Sequence, residues 1–167
     1  IGLPMTLPAN LLPVVPAAND AVYFGTNTAV VLSATGPFTG LVFDIGSALS
    51  PGVSIDTITL IWEYWNGAAW VTLTTRDNTA GVDPLDQLGV VSVHWEPPSA
   101  WATTAVDGVT GYWVRLRVSA ISGTWSTPVQ QNRDVYAIVT PFVEIDAGQI
   151  LGDIPAIARI KVQNQAD

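Results

Sequence analysis

Apolar and polar residues alternate along three stretches of this chain, and this period of two constrains its fold more than any other feature. In the stretch 58–64, Trp62 and its apolar neighbours fall on one face, and Glu63 falls on the other. The stretches 91–96 and 112–118 alternate in the same way. Successive side chains of a β-strand point to opposite faces, whereas a helix repeats every 3.6 residues. The pattern therefore predicts half-buried strands that pack one face on a core.

Shorter apolar stretches, bounded by glycine, asparagine and proline, add more strand candidates. These lie at 21–24, 28–33, 40–45, 69–75, 135–139, 142–146 and 156–163. The dipeptide Asn66-Gly67 between Trp65 and Trp70 favours a tight hairpin turn. Many short strands separated by turn residues are typical of an all-β protein, and we expect an antiparallel β-sandwich that is jelly-roll-like.

The two ends of the chain differ from the middle. Residues 1–20 contain four prolines, which disfavour helix and central strand alike, and they predict an extended arm. Residues 21–140 form the predicted sandwich domain, and residues 141–167 supply either closing strands or the start of a further module. The arm is either a flexible leader or a segment lying on a neighbouring subunit. The apolar residues that suggest assembly arms are Leu11, Leu12, Val14, Val15, Ile157 and Ile160.

Composition argues against several classes of partner. Fourteen acidic residues oppose six basic ones, so the net charge is −8. Phosphate backbones and anionic lipid surfaces attract clustered lysine and arginine, so we expect neither nucleic acid nor membrane as a partner. The chain has no cysteine, which excludes disulfides, thiolate metal ligands and cysteine nucleophiles.

Catalytic patterns are weak, and we do not expect an enzyme. His94 is the single histidine and lies on the polar face of its predicted strand, without a serine-nucleophile motif nearby. Glu63 and Glu96 lie on tryptophan-rich strands, and a pair of carboxylates is what a glycosidase requires. A glycosidase therefore remains the enzymatic alternative, although outward-facing strand acids are usually solvated charges.

One acidic loop offers a candidate metal site. Asp77, Asp83 and Asp86 bring carboxylates together in the oxygen-rich chemistry that Ca²⁺ prefers, although their spacing is not that of an EF-hand. An ordinary turn, in which Asp and Asn side chains bond to the backbone, explains the same residues. We favour the turn and expect no metal and no cofactor.

Seven tryptophans are the most informative side chains. Trp62 and Trp95 share a strand phase with aliphatic residues and are predicted core. Five others fall near turns or on the outward phase: Trp65, Trp70, Trp101, Trp113 and Trp125. They are predicted to form a ligand or interface surface, because exposed aromatic rings bind sugars and anchor protein contacts. The alternative is that they cap the ends of the sandwich.

Four motifs, which follow one another along the chain, resemble those of a known type of module. They are Trp-Glu-Tyr-Trp-Asn-Gly-Ala-Ala-Trp at 62–70, Asp77-x-Thr79, Pro97-x-x-x-Trp101 and Gly-Tyr-Trp-Val-Arg-Leu-Arg at 111–117. Together they resemble a β-sandwich module of the galactose-binding-like type, found in tail, baseplate and other virion proteins of tailed bacteriophages and in related bacterial surface proteins. The resemblance covers about residues 20–140. It implies a non-enzymatic structural or adhesive part in a virion or extracellular setting.

These observations predict a structural or assembly module of a phage particle or other extracellular assembly. Its partners would be other copies or other subunits of that assembly. The alternative is a carbohydrate-binding module that recognises a cell-surface glycan. Assembly would use the apolar ends of the chain, and sugar binding would use an open aromatic cluster with polar neighbours.

Overall fold

A computed structural model describes residues 7–27, 36–77, 84–132 and 135–138, and these residues are all-β apart from one short 3-10 turn at Pro84–Asp86. The strands are β1 Ala9–Asn10, β2 Ala21–Asn27, β3 Gly40–Ser47, β4 Ser50–Pro51, β5 Thr57–Trp65, β6 Trp70–Thr72, β7 Arg76–Asp77, β8 Gly89–His94, β9 Thr103–Val106, β10 Val109–Ser122, β11 Trp125–Ser126, β12 Val129–Gln130 and β13 Tyr136–Ile138. The strand candidates 28–33, 142–146 and 156–163 lie outside the described residues.

The strands form two main antiparallel sheets. Sheet A has the order β1-β12-β3-β8-β7, and β13 pairs with β3. Sheet B has the order β2-β10-β5-β6, and β9 pairs with the start of β10. A small ribbon of β4 and β11 lies apart from both. The long β10 organises sheet B, because it pairs with β2 and β5, which are both far from it in sequence.

The core lies between the inner faces of the two sheets. Phe43 of sheet A meets Phe24 of sheet B with ring centroids 5.4 Å apart, and Trp95 meets Trp62 at 6.1 Å. Trp62 and Trp95 are 6 % and 5 % exposed, so their prediction as core residues is confirmed. The buried positions follow the period of two along β8 and most of β10, whereas β3 is buried on both faces over most of its length. The prediction of two antiparallel sheets packed face to face, as in a β-sandwich, is therefore confirmed.

The turn at Asn66-Gly67 is also confirmed. Trp65 pairs with Trp70, and Gly67 adopts a φ of +97°, which favours glycine. The Asn66 Oδ1 atom accepts hydrogen bonds from the backbone N–H groups of Ala68 and Ala69. These contacts fix the β5–β6 hairpin and bring two indole rings to the same place on sheet B.

The hairpin between β9 and β10 was not anticipated. Its turn is Asp107-Gly108, and both residues have positive φ angles, of 48° and 76°. Such turns match the right-handed twist of an antiparallel pair, and Asp-Gly is one of their preferred sequences. The preceding strand carries only threonine, alanine and valine side chains, so its sequence lacks a strong alternating signal.

The N-terminal segment packs on the chain's own sandwich. Leu11 and Leu12 are 2 % and 3 % exposed within the core, and the Leu11 N–H donates to the Pro128 carbonyl oxygen at 2.9 Å. These two leucines are therefore not surface residues of an assembly arm, because they are already buried against their own chain. Val14 and Val15 remain exposed, at 69 % and 81 %.

Candidate functional site

The outer face of sheet B carries a cluster of aromatic and charged side chains. Outward positions of β2, β5, β6 and β10 bring together residues from four segments of the chain. We define the aromatic platform as Tyr23, Trp65, Trp70, Trp113, Glu63, Arg115 and Arg117. Three of the five tryptophans predicted as ligand or interface residues are therefore on one face. The tyrosine and the two arginines were missed as site residues.

Trp70 is the central ring of the platform. Its centroid lies 5.7 Å from that of Trp65 and 5.5 Å from that of Tyr23, and both pairs are edge-to-face. The Arg115 guanidinium carbon lies 4.6 Å from the Trp70 ring centroid, in a cation–π contact. Each ring is therefore held by its neighbours in a defined orientation.

A compact ion cluster lies within the platform. The Arg115 Nε atom donates to Glu63 Oε2 at 2.6 Å, and the Arg117 Nη2 atom donates to Glu63 Oε1 at 3.0 Å. Glu63 is only 5 % exposed although it points away from the core, so it is not the solvated strand acid that its outward phase suggested. Cross-strand pairing of Arg115 with Glu63 places these charges together.

The arginines determine the charge state of Glu63. Burial by itself would raise the pKa of this carboxyl, but the hydrogen bonds and positive charges of Arg117 and Arg115 outweigh that effect and lower it. The hydrogen bond to Glu63 raises the pKa of Arg117 in return. A glycosidase acid requires a carboxyl that stays protonated, so Glu63 is unsuited to that role.

Trp113 lies flat over the backbone of β2. A Cβ atom at position 25 would collide with its indole ring, so Gly25 makes room for Trp113 across the strand pair. The Trp113 Nε1 atom donates to the Val109 carbonyl oxygen at 3.2 Å. A glycine inside a strand pattern is the sequence signal for such a close approach.

A second candidate surface is a cleft at the edge of the sandwich, which we call the edge cleft. It has a volume of about 380 Å³ and lies beside β6 and β8. Its lining includes Tyr64, Arg76, His94, Trp95 and Glu96. His94, predicted to be a solvated strand histidine, is exposed and within 3.0 Å of the Ser92 hydroxyl through its Nε2 atom. Glu96 thus lines a cleft, whereas Glu63 belongs to the platform.

Trp125 lies at one end of the sandwich, apart from the platform. It lines a cleft of about 400 Å³, which we call the end cleft, together with Leu49, Asp56, Ile58, Leu60 and Asp86. The Trp125 Nε1 atom donates to the Ser122 carbonyl oxygen at 3.1 Å. The walls of this cleft are largely apolar, and its two carboxylates give it negative charge.

Trp101 corrects the interpretation of the tryptophans. It is 6 % exposed and packs against Phe38, Trp95 and Tyr112 in the core. Its Nε1 atom donates to the Trp113 carbonyl oxygen at 3.2 Å. Trp101 therefore closes the interior, as the capping alternative proposed, and offers no binding surface.

The calcium hypothesis falls largely outside the described residues. Asp83 and the side chain of Asp77 are not described, and Asp86 accepts a hydrogen bond from the Gln87 amide at 2.9 Å. Within the described ranges, no three histidine or acidic side chains are grouped as metal ligands would be. Ile157 and Ile160 of the C-terminal assembly hypothesis also lie outside these ranges.

Two further findings are negative. None of the residues from 7 to 138 that the structure describes belongs to a helix long and apolar enough to span a membrane. Comparison with protein-family models, curated proteins and solved structures finds no match to this chain.

Proposed function

We propose that this chain is a non-enzymatic assembly module, a structural part of a phage particle or other extracellular assembly. The aromatic platform is the observation that carries the proposal. Tryptophan, tyrosine and arginine are the residues that dominate binding energy at protein interfaces, and the platform concentrates all three on one face. The resemblance to virion β-sandwich modules supports the same conclusion.

The platform is also preorganised for contact. Its tryptophan rings are half-buried. Trp65 and Trp70 are held by their edge-to-face contact and by the cation–π contact of Trp70 with Arg115, and Trp113 is held by its hydrogen bond to the Val109 carbonyl oxygen. Ordering flexible side chains costs roughly 0.5–1.5 kcal/mol each on binding, so rings that are already fixed lose less entropy. A subunit that docks here would cover rings whose orientation does not have to change.

The test is the mass of the purified chain in solution as a function of concentration. We expect species larger than the 17.7 kDa monomer, and we expect the Trp70→Ala variant to dissociate into monomers. Ser99→Ala, an exposed change in the turn before Trp101, serves as a control that should leave the mass unchanged. A wild-type chain that stays monomeric at all concentrations would contradict self-assembly.

The edge cleft favours a second function, carbohydrate binding. Tyr64 and Trp95 provide aromatic surface, and Arg76 and Glu96 have no ion-pair partner among the described residues. A pocket of a few hundred Å³ with an apolar wall and several polar groups suits a small saccharide.

A glycan screen followed by calorimetric titration tests this alternative. We expect the affinity for any glycan that binds to fall at least tenfold in Arg76→Ala and in Glu96→Ala. The same affinity should survive Tyr23→Ala, which alters the other surface. Binding that is lost only in Tyr23→Ala would move the glycan site to the platform, and absence of binding would leave assembly as the function.

A further inference from the structure

The aromatic platform and the end cleft complement each other in charge and in apolar character. We propose that copies of this chain associate head to tail, with the platform of one copy docked on the end cleft of the next. This inference rests on the proposed assembly function and deepens it, because it names the partner and the surface that the partner offers.

The end cleft is lined largely by apolar side chains. Leu49, Ile58, Leu60 and Trp125 line it. Three exposed aliphatic side chains occur in the segments next to it: Val53, Ile55 and Leu88, which are 57 %, 83 % and 69 % exposed. Large exposed apolar patches on a folded domain usually mark interaction sites. A cleft of about 400 Å³ has room for an aromatic anchor from a second copy.

The charges of the two surfaces are opposite. The platform carries two guanidinium groups and one carboxylate, which leaves one net positive charge. The end cleft carries the carboxylates of Asp56 and Asp86. The Asp56 Oδ2 atom accepts from the backbone N–H groups of Val53 and Thr124, both at 3.1 Å, so its position is fixed before a partner arrives. Opposed potentials of this kind set the orientation of an interface.

The same charges disfavour the simplest alternative, a symmetric dimer through the platform alone. Such a contact would place one arginine cluster against another, and like charges across an interface are costly. A platform-to-cleft contact instead joins two different surfaces of the same chain. Because a bound pair still has one unused platform and one unused cleft, the contact repeats and gives a ring or a filament.

Two variants, each damaging one surface, test the direction of the contact. Tyr23→Glu places a negative charge on the platform, where it would face Asp56 and Asp86. Ile55→Lys places a positive charge beside the end cleft, where it would face Arg115 and Arg117. Ile55 is 83 % exposed, so Ile55→Lys should keep the wild-type melting temperature. Because the Tyr23 ring contacts Trp70, a melting curve must first show that Tyr23→Glu is folded at the assay temperature.

We expect each variant alone to be monomeric by sedimentation velocity. We expect an equimolar mixture to form a species of twice the chain mass and nothing larger, because only one intact platform and one intact cleft can meet. Val15→Lys, an equally exposed change on the N-terminal segment, should assemble like the wild type.

Three results would overturn the inference. If Ile55→Lys assembles normally while Tyr23→Glu does not, the platform binds elsewhere, and the assembly function stands without the head-to-tail contact. If the mixture stays monomeric although both variants are folded, the two surfaces do not meet. If Val15→Lys abolishes assembly, the N-terminal segment carries the contact. A monomeric wild type would instead refute self-assembly itself.

Discussion

Replacement of Glu63 by glutamine tests whether the ion cluster holds the platform together. The change keeps the size of the side chain and one acceptor oxygen, but it removes the negative charge shared by Arg115 and Arg117. Hydrogen bonds to a charged group contribute about 1.5–3 kcal/mol each, and breaking a buried ion pair by removing one partner costs about 3–5 kcal/mol. The arginine side chains are 18 % and 20 % exposed, so water compensates in part. We expect Glu63→Gln to lower the free energy of unfolding by about 2–4 kcal/mol at pH 7.

The stabilisation that Glu63 provides depends on pH, and it should decrease in acid. The pKa of Glu63 is lowered in the folded protein, so the stabilisation is complete above the unfolded-state pKa, which is about 4.3 for glutamate. It is lost as the pH falls through the folded-state pKa, because the wild-type carboxyl is then neutral as well. The difference between wild type and Glu63→Gln should therefore be largest at neutral pH and shrink in acid.

Urea unfolding, followed by tryptophan fluorescence between pH 3 and pH 7, measures both effects. Glu96→Gln is the matched control, because Glu96 is exposed and forms no ion pair in the described part of the chain. It should change the free energy of unfolding by less than about 0.5 kcal/mol. A Glu63→Gln effect that is absent at pH 7, or that is the same at pH 3, would refute this account of the cluster.

Three further predictions concern the core, the N-terminal segment and the acidic loop. Trp101→Ala should lower the free energy of unfolding by about 3–5 kcal/mol in urea, because it empties a buried site; a change below about 1 kcal/mol would contradict its place in the core. Leu11→Ala should cost about 2–5 kcal/mol whereas Val15→Ala should cost little, and equal effects would show that the N-terminal segment is not docked. Chelator should leave the melting temperature unchanged, and a drop that added Ca²⁺ restores would identify the loop 77–86 as a metal site.

Some of the candidate site follows from the sequence, and some does not. The Asn66-Gly67 turn and the alternation along β5 place Trp65 and Trp70 opposite each other, and both signals are local. Arg115 reaches Glu63 only because β10 pairs with β5 in one particular register. That register joins residues 52 positions apart, and no local pattern specifies it. The charge cluster could therefore not be predicted, although the outward phase of each member could.

The sequence by itself determined the strands β5, β8 and β10 and which face of each is apolar, because side-chain alternation is a property of a single strand. The tertiary structure alone decided which turn-proximal tryptophan is buried. Trp101 lies where Phe38 and Trp95 meet it in the core, whereas Trp70 lies over Arg115 on the outer face. The tertiary structure also decided that Leu11 packs on its own chain, since the Leu11 N–H bonds to a carbonyl more than a hundred residues away. Burial at such positions depends on long-range pairing, and the period of two carries no information about it.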